Sequence, residues 1–201
     1  PSWTSPWGEG RPGWHIECSA MSSTHLGCDF DIHGGGSDLI FPHHENEIAQ
    51  SECATGERYV RHWMHNGFVN IDNEKMSKSL GNFFTIREVL ERFSGEAIRY
   101  FLLTTHYRAP INFSDAPLIE AADRIVYLYE TLARADEGMA SGNPELEPLE
   151  LVAELQLSQR LEQALCEDLN TCKVLALLSD ALRTINALAE QPPATKAERK
   201  R

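Results

Sequence analysis

FDIHGGGSDLIFPHHENEIAQSECA, residues 30–54, is the stretch that decides the fold, because its pattern changes from strand to helix across a run of glycines. FDIHGGG (30–36) predicts a short buried strand that runs into a turn. PHHENEIAQSECA (42–54) predicts a helix, with Pro42 in its first turn, where the missing backbone N–H is tolerated. A strand that passes directly into a helix is the first half of a β-α-β unit.

Further short elements surround this stretch in the first half of the chain. The opening residues, PSWTSPWGEG, predict a Pro/Trp/Gly-rich loop. VRHWMHNGFVNI (60–71) predicts a second strand that passes into a hairpin or loop, and DNEKMSKSLGN (72–82) has the polarity of a mobile loop. Two helices are predicted after it, over 85–93 and 95–106. Strands that alternate with helices favour a parallel α/β layer.

The pattern becomes helical near residue 108, where apolar residues begin to recur at steps of three and four. Four elements are predicted there: a helix over 117–134, a loop over 136–148, and helices over about 149–167 and 172–190. Three antiparallel helices would form an incomplete bundle. We therefore predict an α/β domain over residues 1–107 and a helical domain over 108–201.

Composition sets limits on the class of protein. The chain has 201 residues, 42% of them hydrophobic, which is enough for one large domain or two modest ones. A net charge of -12 argues against a broadly basic nucleic-acid surface, although a local basic patch would be compatible with it. The sequence contains no run of about 18 apolar residues, so it predicts no membrane span. Five cysteines without an export signal predict a reduced, cytoplasmic protein. The ends of the sequence favour a piece of a longer protein.

The first candidate site is a metal site. On a helix, His43 and Glu47 project from one face, with about 6 Å between Cβ atoms. Cys18, far upstream, could supply a thiolate, and a sulfur, nitrogen and oxygen set suits Zn²⁺. On spacing alone the alternative stays open that His43 and Glu47 form an ordinary pair on a helix surface and that Cys18 is a core thiol. His44 and Glu45 are predicted to point elsewhere, as supporting or surface groups.

Two further motifs carry chemistry. Glycines in HGGGSDL (33–39) follow a predicted strand, where backbone could approach a flat or anionic ligand closely, but a flexible loop explains them equally well. KMSKSLGN (75–82) is more specific, because it places Lys75 and Lys78 in a loop of small polar residues. Two ammonium groups there could neutralise charge that develops on a departing polyphosphate.

KMSKS is the second signature of the class I aminoacyl-tRNA synthetases. Together with PGWHIECSAM, DIHGGGSDLIFPHHENEIAQ, YVRHWMHNGFV and AIRYFLLTTHYRAPINFS, it makes the chain closely resemble the cysteinyl-tRNA synthetases. The resemblance is continuous over about residues 1–115 and looser beyond. It implies the C-terminal half of a doubly wound, Rossmann-like nucleotide-binding domain, followed by an antiparallel α-helical bundle that forms part of a tRNA-binding region.

The resemblance also implies a metal centre and an amino-acid pocket. In that family, two Cys, one His and one Glu hold a Zn²⁺ ion that selects the thiolate of cysteine. Cys18, His43 and Glu47 match three of these ligands, and the second Cys has no counterpart in this sequence. Trp14 and His33 match positions that line the amino-acid pocket. Sulfur is a better zinc ligand than a serine hydroxyl, so such a site could reject serine without editing.

For the nucleotide, the resemblance implies that Gly36 and Asp38 lie near the ribose of ATP. Lys78 matches the lysine of the family that contacts ATP, and Lys75 assists it. Mg²⁺ is expected to accompany the ATP. The family's first ATP-binding signature, of the His-Ile-Gly-His type, is not found in this sequence, so we expect these 201 residues alone to be inactive.

The implied reaction has two steps, and its partners are L-cysteine, ATP and tRNA(Cys). The cysteine carboxylate attacks the α-phosphate of ATP to give cysteinyl-adenylate and pyrophosphate, and the tRNA then takes the acyl group. A monomeric, cytoplasmic ligase is expected. Two alternatives remain: an ATP-dependent cysteine ligase of low-molecular-weight thiol biosynthesis, with an amino-sugar acceptor, and a non-catalytic zinc- or RNA-binding paralogue.

Overall fold

The computed structural model describes four stretches of the chain: residues 2–71, 74–76, 84–140 and 156–189. They divide between two units: Pro1–Phe68 with Tyr107–Pro110, and Val69–His106 with Ile111–Arg201. The sequence predicts a single boundary between two domains near residue 108, whereas these units are formed from alternating segments of the chain. The two-domain division stays a prediction.

The first unit is built on a parallel pair of strands. Its elements in chain order are β1 (Trp3–Ser5), β2 (Gly8–Gly10), α1 (Trp14–Leu26), β3 (Phe30–Gly36), α2 (Glu45–Thr55) and β4 (Val60–Asn66). β3 pairs in parallel with β4, and α2 lies in the crossover between them, so the three elements form a β-α-β unit. The strand predicted over 30–36 is thereby confirmed, but the prediction that it is buried is wrong, since Phe30 is its only buried residue. A small core of Phe30, Tyr59 and Val60 lies at the start of both strands.

Two elements of this unit were not expected from the sequence. The opening residues, predicted to be a loop, pair as the antiparallel hairpin β1–β2. Trp14–Leu26 forms α1, although Gly13 supplies no side-chain cap and Met21 and Leu26 lie exposed instead of forming an apolar stripe. α1 packs against α2, and this tertiary contact replaces the local signals that the sequence lacks.

The connection from β3 to α2 contains a kink that the sequence did not predict. A 3₁₀ turn over Ser37–Leu39 and a turn over Ile40–His44 precede α2. Within the second turn only Phe41 departs from helical dihedral angles, so helical backbone resumes at Pro42, as predicted. Phe41 has an extended backbone, with φ −133° and ψ 133°, because a residue that precedes proline is sterically excluded from the helical region. The kink carries His43 and His44 into buried positions.

The second unit combines a small sheet with helices. Its elements are β5 (Val69–Ile71), β6 (Glu74–Lys75), α3 (Ile86–Leu90), α4 (Gly95–Leu103), β7 (Ile111–Phe113), α5 (Asp115–Ala140), α6 (Leu157–Cys166) and α7 (Thr171–Ala189). The strands lie in the order β6-β5-β7, with β5 antiparallel to β6 and parallel to β7. Helix α5 packs against α4 and α7, and α6 packs against α7.

Helix boundaries in this unit follow local signals where those exist. Thr85 and Glu88 form a reciprocal capping box that starts α3, and the Ser94 hydroxyl accepts from the backbone N–H of Ala97 to start α4. The loop predicted from residue 136 is wrong at its start, since α5 continues to Ala140 although Asp136 and Gly138 are poor helix formers. The rest of that predicted loop, 141–148, lies outside the described residues.

The core of the second unit is formed by Val89, Phe101, Leu118 and Ala121, all buried. The ring of Phe113, on β7, lies 5.8 Å from that of Phe101 in a perpendicular arrangement, and the sheet thereby packs onto this core. Farther along α5, Tyr127 and Thr131 both accept hydrogen bonds of 2.8 Å from the side-chain amide of Asn186 on α7. Across the described residues, no helix is both long enough and apolar enough to cross a lipid bilayer.

Candidate functional site

Three elements of the first unit bring potential metal ligands together. Cys18 lies on α1, His43 ends the kinked turn, and Glu47 lies in the first turn of α2. Their ligand atoms, a thiol sulfur, an imidazole nitrogen and a carboxylate oxygen, all lie within 4.8 Å of one another. Cys18 and His43 are 25 positions apart in the sequence, and the fold brings their side chains together, as a shared site requires.

The Glu47 carboxylate is the centre of this cluster and is fully buried. Its Oε2 lies 2.8 Å from Nε2 of His33 and 3.0 Å from the hydroxyl of Tyr59. Its Oε1 lies 2.8 Å from Nε2 of His43, yet it accepts no hydrogen bond of acceptable geometry within the described residues. A buried carboxylate oxygen without a donor, beside a nitrogen and a sulfur, fits a borderline-soft cation such as Zn²⁺.

The protonation of Cys18 responds to the same surroundings. Burial raises the pKa of its thiol, and the negative charges of Glu47 and Glu17 raise that pKa further. A divalent cation acts in the opposite direction, because it binds the thiolate and displaces the proton. The cluster is therefore a poor environment for an isolated thiolate and a suitable one for a thiolate that is paired with a metal.

A group of imidazole and indole rings lies beside the ligands. The ring of His44 lies 4.8 Å from that of Trp63 and 5.0 Å from that of His33, and its Nδ1 is 2.8 Å from Nε2 of His65. Burial lowers the pKa of His44 to about 4, so this imidazole is neutral at pH 7. His44 was predicted as a supporting or surface group; it is buried beside His33, which agrees with a supporting group and excludes a surface one, whereas Glu45 lies exposed as expected.

Sequence reasoning did not identify Tyr59, Trp63 or His65 as site residues. The register of the strands explains how two of them reach the site, because His33 pairs with Trp63 and Gly35 pairs with His65. The available signal was the two-residue spacing of Trp63 and His65, which puts both on one face of a strand. That signal becomes useful only once the parallel partner of β4 is known.

The glycines are explained by close packing, not by flexibility. All three lie within β3, and a Cβ added at Gly35 would lie 2.8 Å from Cδ1 of Leu39 and 3.0 Å from Cε1 of His44. A Cβ added at Gly34 would lie 2.9 Å from the carbonyl oxygen of Met64 on β4. Glycine is therefore needed where the strand passes His44 and its neighbouring strand.

We expect Gly35→Ala to destabilise the first unit by about 1–3 kcal/mol, because the added methyl must displace Leu39 or His44 from a packed position. Denaturant unfolding followed by tryptophan fluorescence would measure the loss. Gly10→Ala is the matched control, since a Cβ there meets nothing within 4 Å. Equal stability of the two variants would show that the approach of His44 to β3 is not tight.

Two predicted pocket residues, Trp14 and His33, border this cluster. The Trp14 ring is largely exposed and lies 4.5 Å from the ring of His43. His33 is partly buried, 4.9 Å from the ring of Trp63, and its Nε2 contacts Glu47. Both side chains adjoin the candidate ligands, although their role in binding an amino acid stays a prediction.

The residues predicted to bind nucleotide lie in several places. Gly36 ends β3, and Asp38 is exposed in the turn that follows. Lys75 lies in β6, in the second unit, and only its backbone is described. Lys78 and most of the predicted loop lie outside the described residues. Whether these residues form one nucleotide site stays a prediction.

Two solved structures of other proteins have a similar fold. LeuRS from Agrobacterium radiobacter K84, solved as a ternary complex with tRNA and LeuAMS, matches 96% of this chain with a TM-score of 0.72 at 16% identity, over 29% of its own chain. Methionyl-tRNA synthetase from Mycobacterium tuberculosis, bound by methionyl-adenylate, matches 84% of this chain with a TM-score of 0.62 at 19% identity, over 37% of its own chain. The chain therefore shares its fold with these two tRNA synthetases.

Residues 1–123 match the model of the family described as "tRNA synthetases class I (C) catalytic domain", and the chain belongs to that family. Curated relatives named Cysteine--tRNA ligase are similar along nearly the whole chain. The relative from Pelobacter propionicus is 54% identical over 98% of this chain and 43% of its own length. One from Acinetobacter baumannii is 53% identical over 98% of this chain and 40% of its own length. The chain thus spans about two fifths of these relatives, and their names do not favour the amino-sugar alternative.

Proposed function

We propose that this chain supplies the metal-binding and amino-acid-selecting part of a cysteine–tRNA ligase. In the proposed reaction the carboxylate of L-cysteine attacks the α-phosphate of ATP, pyrophosphate leaves, and tRNA(Cys) then accepts the cysteinyl group. The observation that carries the proposal is the convergence of Cys18 and His43, from two other elements, on the buried Oε1 of Glu47, which accepts no hydrogen bond from the residues that the structure describes.

Selection of cysteine is assigned to the same cluster. Zn²⁺ held by Cys18, His43 and Glu47 would supply an affinity for sulfur over oxygen, and so a means to tell a thiol from a hydroxyl. The chain's own residues prepare the cluster for this task. His33 and Tyr59 hold one oxygen of Glu47 by hydrogen bonds. Trp14 lies against His43 and provides an apolar wall beside the ligands.

Activation of the amino acid is assigned to Gly36 and Asp38 and to the two lysines of KMSKS. Gly36 allows the backbone to approach the ribose, and Asp38, which is exposed in the turn after β3, can accept hydrogen bonds from ribose hydroxyls. Lys75 and Lys78, with Mg²⁺, would neutralise the charge that develops on the pyrophosphate. The order of residues in KMSKS and the membership of the family support this assignment.

The proposal also includes the architecture of two domains, a Rossmann-like half domain and a helical bundle. The β3-α2-β4 unit is the repeating element of a doubly wound sheet, and it supports the C-terminal half of a Rossmann-like domain over residues 1–107. The contacts of α5 with α7 and of α7 with α6 support a helical bundle over residues 108–201. A monomeric state and a cytoplasmic location remain predictions.

The proposal is tested with a chimera in which these 201 residues replace the matching segment of the Acinetobacter baumannii relative. We expect cysteine-dependent exchange of pyrophosphate into ATP, with cysteine favoured over serine by about 10⁴-fold or more, because a site built around one atom type rejects the analogue that lacks it. Charging of tRNA(Cys) is measured in parallel with transfer to an amino sugar. The unaltered relative is the positive control, and circular dichroism establishes that the chimera is folded.

Transfer to the amino sugar without charging of tRNA would establish the thiol-biosynthesis ligase instead. A folded chimera that binds Zn²⁺ but catalyses no exchange would show that the segment does not function in this reaction.

A further inference from the structure

Tyr59 occupies a fixed position between the two helices that carry candidate ligands. Only 1% of its surface is exposed. Its ring packs perpendicular to that of Phe30, with 5.1 Å between centroids, and its backbone N–H donates to Oε1 of Glu52 at 3.2 Å. The backbone and the ring are both held, so the position of the phenol oxygen is determined by the fold.

That phenol oxygen connects α1 with α2. It donates to Oε2 of Glu47 on α2 at 3.0 Å and lies 2.6 Å from the hydroxyl of Ser22 on α1. A phenol has one proton, so when Tyr59 donates it to Glu47, Ser22 must be the donor to Tyr59. Ser22 lies one helical turn after Cys18 on α1. A serine hydroxyl has one proton, so while Ser22 donates it to Tyr59 it does not donate it to the Cys18 carbonyl oxygen 2.7 Å away. The connection therefore joins the segment around one candidate ligand to the carboxylate of another.

The two oxygens of Glu47 have different tasks as a result. Oε2 is held by Tyr59 and lies 2.8 Å from Nε2 of His33, whereas Oε1 accepts no hydrogen bond of acceptable geometry and lies in the ligand cluster. Without the phenol, the carboxylate could rotate about its last bond and exchange the two oxygens. Donors that hold a ligating carboxylate in place typically raise metal affinity by about 10–100-fold.

We propose that Tyr59 is a positioning residue of the metal site, which presents Oε1 of Glu47 to the ion and sets the spacing between Glu47 and Cys18. This inference rests on the proposed zinc site. Tyr59 does not touch the ion; it acts through Glu47 and Ser22. It deepens the proposed function, because the same contacts that orient Glu47 determine where the sulfur-selecting ion lies.

The test replaces Tyr59 by phenylalanine in the 201-residue chain and measures Zn²⁺ affinity by competition with a chromophoric chelator. We expect Tyr59→Phe to weaken binding by about 10–100-fold and to change the visible absorption bands of bound Co²⁺, because the geometry of the Glu47 ligand changes. A purely structural role would leave the Co²⁺ bands unchanged. Tyr127→Phe is the matched control, since it also removes a phenol that forms a hydrogen bond, with Asn186 in the second unit, and should leave affinity within about twofold.

The possible outcomes separate this inference from the proposed function. Parent-like Zn²⁺ affinity and Co²⁺ bands in Tyr59→Phe would overturn the role of Tyr59 and leave the zinc site intact. Failure of both the parent chain and the chimera described above to bind Zn²⁺ would overturn the zinc site and this inference together. If only the chimera binds Zn²⁺, the same variants are compared in the chimera. If Tyr59→Phe does not fold, Ser22→Ala is measured instead. Weaker Zn²⁺ binding by Ser22→Ala supports the link from Ser22 through Tyr59 to Glu47, and unchanged binding contradicts it.

Discussion

Cys18→Ala is expected to weaken Zn²⁺ binding to this chain by about 100- to 1,000-fold. Structural zinc sites with four ligands bind with about 10–16 kcal/mol, so one ligand contributes roughly 2.5–4 kcal/mol, which is about two to three powers of ten in affinity. The thiolate is also the softest donor in the cluster, and its loss leaves only nitrogen and oxygen. Competition with a chromophoric chelator at pH 7 measures the affinity of parent and variant.

Cys28→Ala is the matched control for this experiment. Cys28 is also a free, partly buried cysteine of the first unit, but it lines a separate cavity of about 140 Å³ between α1 and α2 and does not belong to the ligand cluster. Its replacement should leave zinc affinity unchanged. The two glutamates of α2 provide a second comparison: Glu47→Gln at the buried position should weaken zinc binding, and Glu45→Gln at the exposed position should leave it unchanged. Similar zinc affinities for Cys18→Ala and Cys28→Ala would remove Cys18 from the site.

Leu118→Ala is expected to lower the free energy of unfolding of the second unit by about 3 kcal/mol. Leu118 is completely buried and belongs to the core cluster with Val89 and Phe101, so its truncation leaves a cavity. Urea unfolding followed by circular dichroism would measure the loss as an earlier transition of the helical signal.

Ile119→Ala is the natural control for that measurement, because Ile119 follows Leu118 on α5 and is 53% exposed. Both changes remove a branched aliphatic side chain from the same helix, so helix propensity alters to a similar extent. Only the buried position should show a large effect. An equal loss of stability in the two variants would mean that Leu118 does not belong to a packed core.

The sequence predicted the β-α-β unit well, because its signals are local. Strand 30–36 ends in glycines and a helix follows, and the structure shows β3 and α2 there. Helix α1 was missed because Gly13 gives no capping signal and the helix has no apolar stripe. The kink at Phe41 was missed, because it arises from the restriction that a proline places on the residue before it, whereas helical backbone resumes at Pro42 as predicted.

The candidate site was predictable only in part, for a related reason. His43 and Glu47 could be paired from their spacing on one helix, and the family resemblance added Cys18. His44, Tyr59 and Trp63 could not be assigned, because their place depends on a kink and on the pairing of two strands that are distant in sequence. Side chains that surround a ligand cluster are selected by tertiary contacts, and periodicity does not report these.

The path of the chain between its two units limits how this protein can be shortened. Tyr107–Pro110 belongs to the first unit, although the residues on both sides of it belong to the second. The backbone N–H of Gly67 donates to the carbonyl of Tyr107 at 2.7 Å, and a Cβ at Gly67 would collide with the backbone of Ala109. An expression clone that stops at residue 68 would therefore encode an incomplete unit, and one that begins at residue 69 would carry four residues of the other.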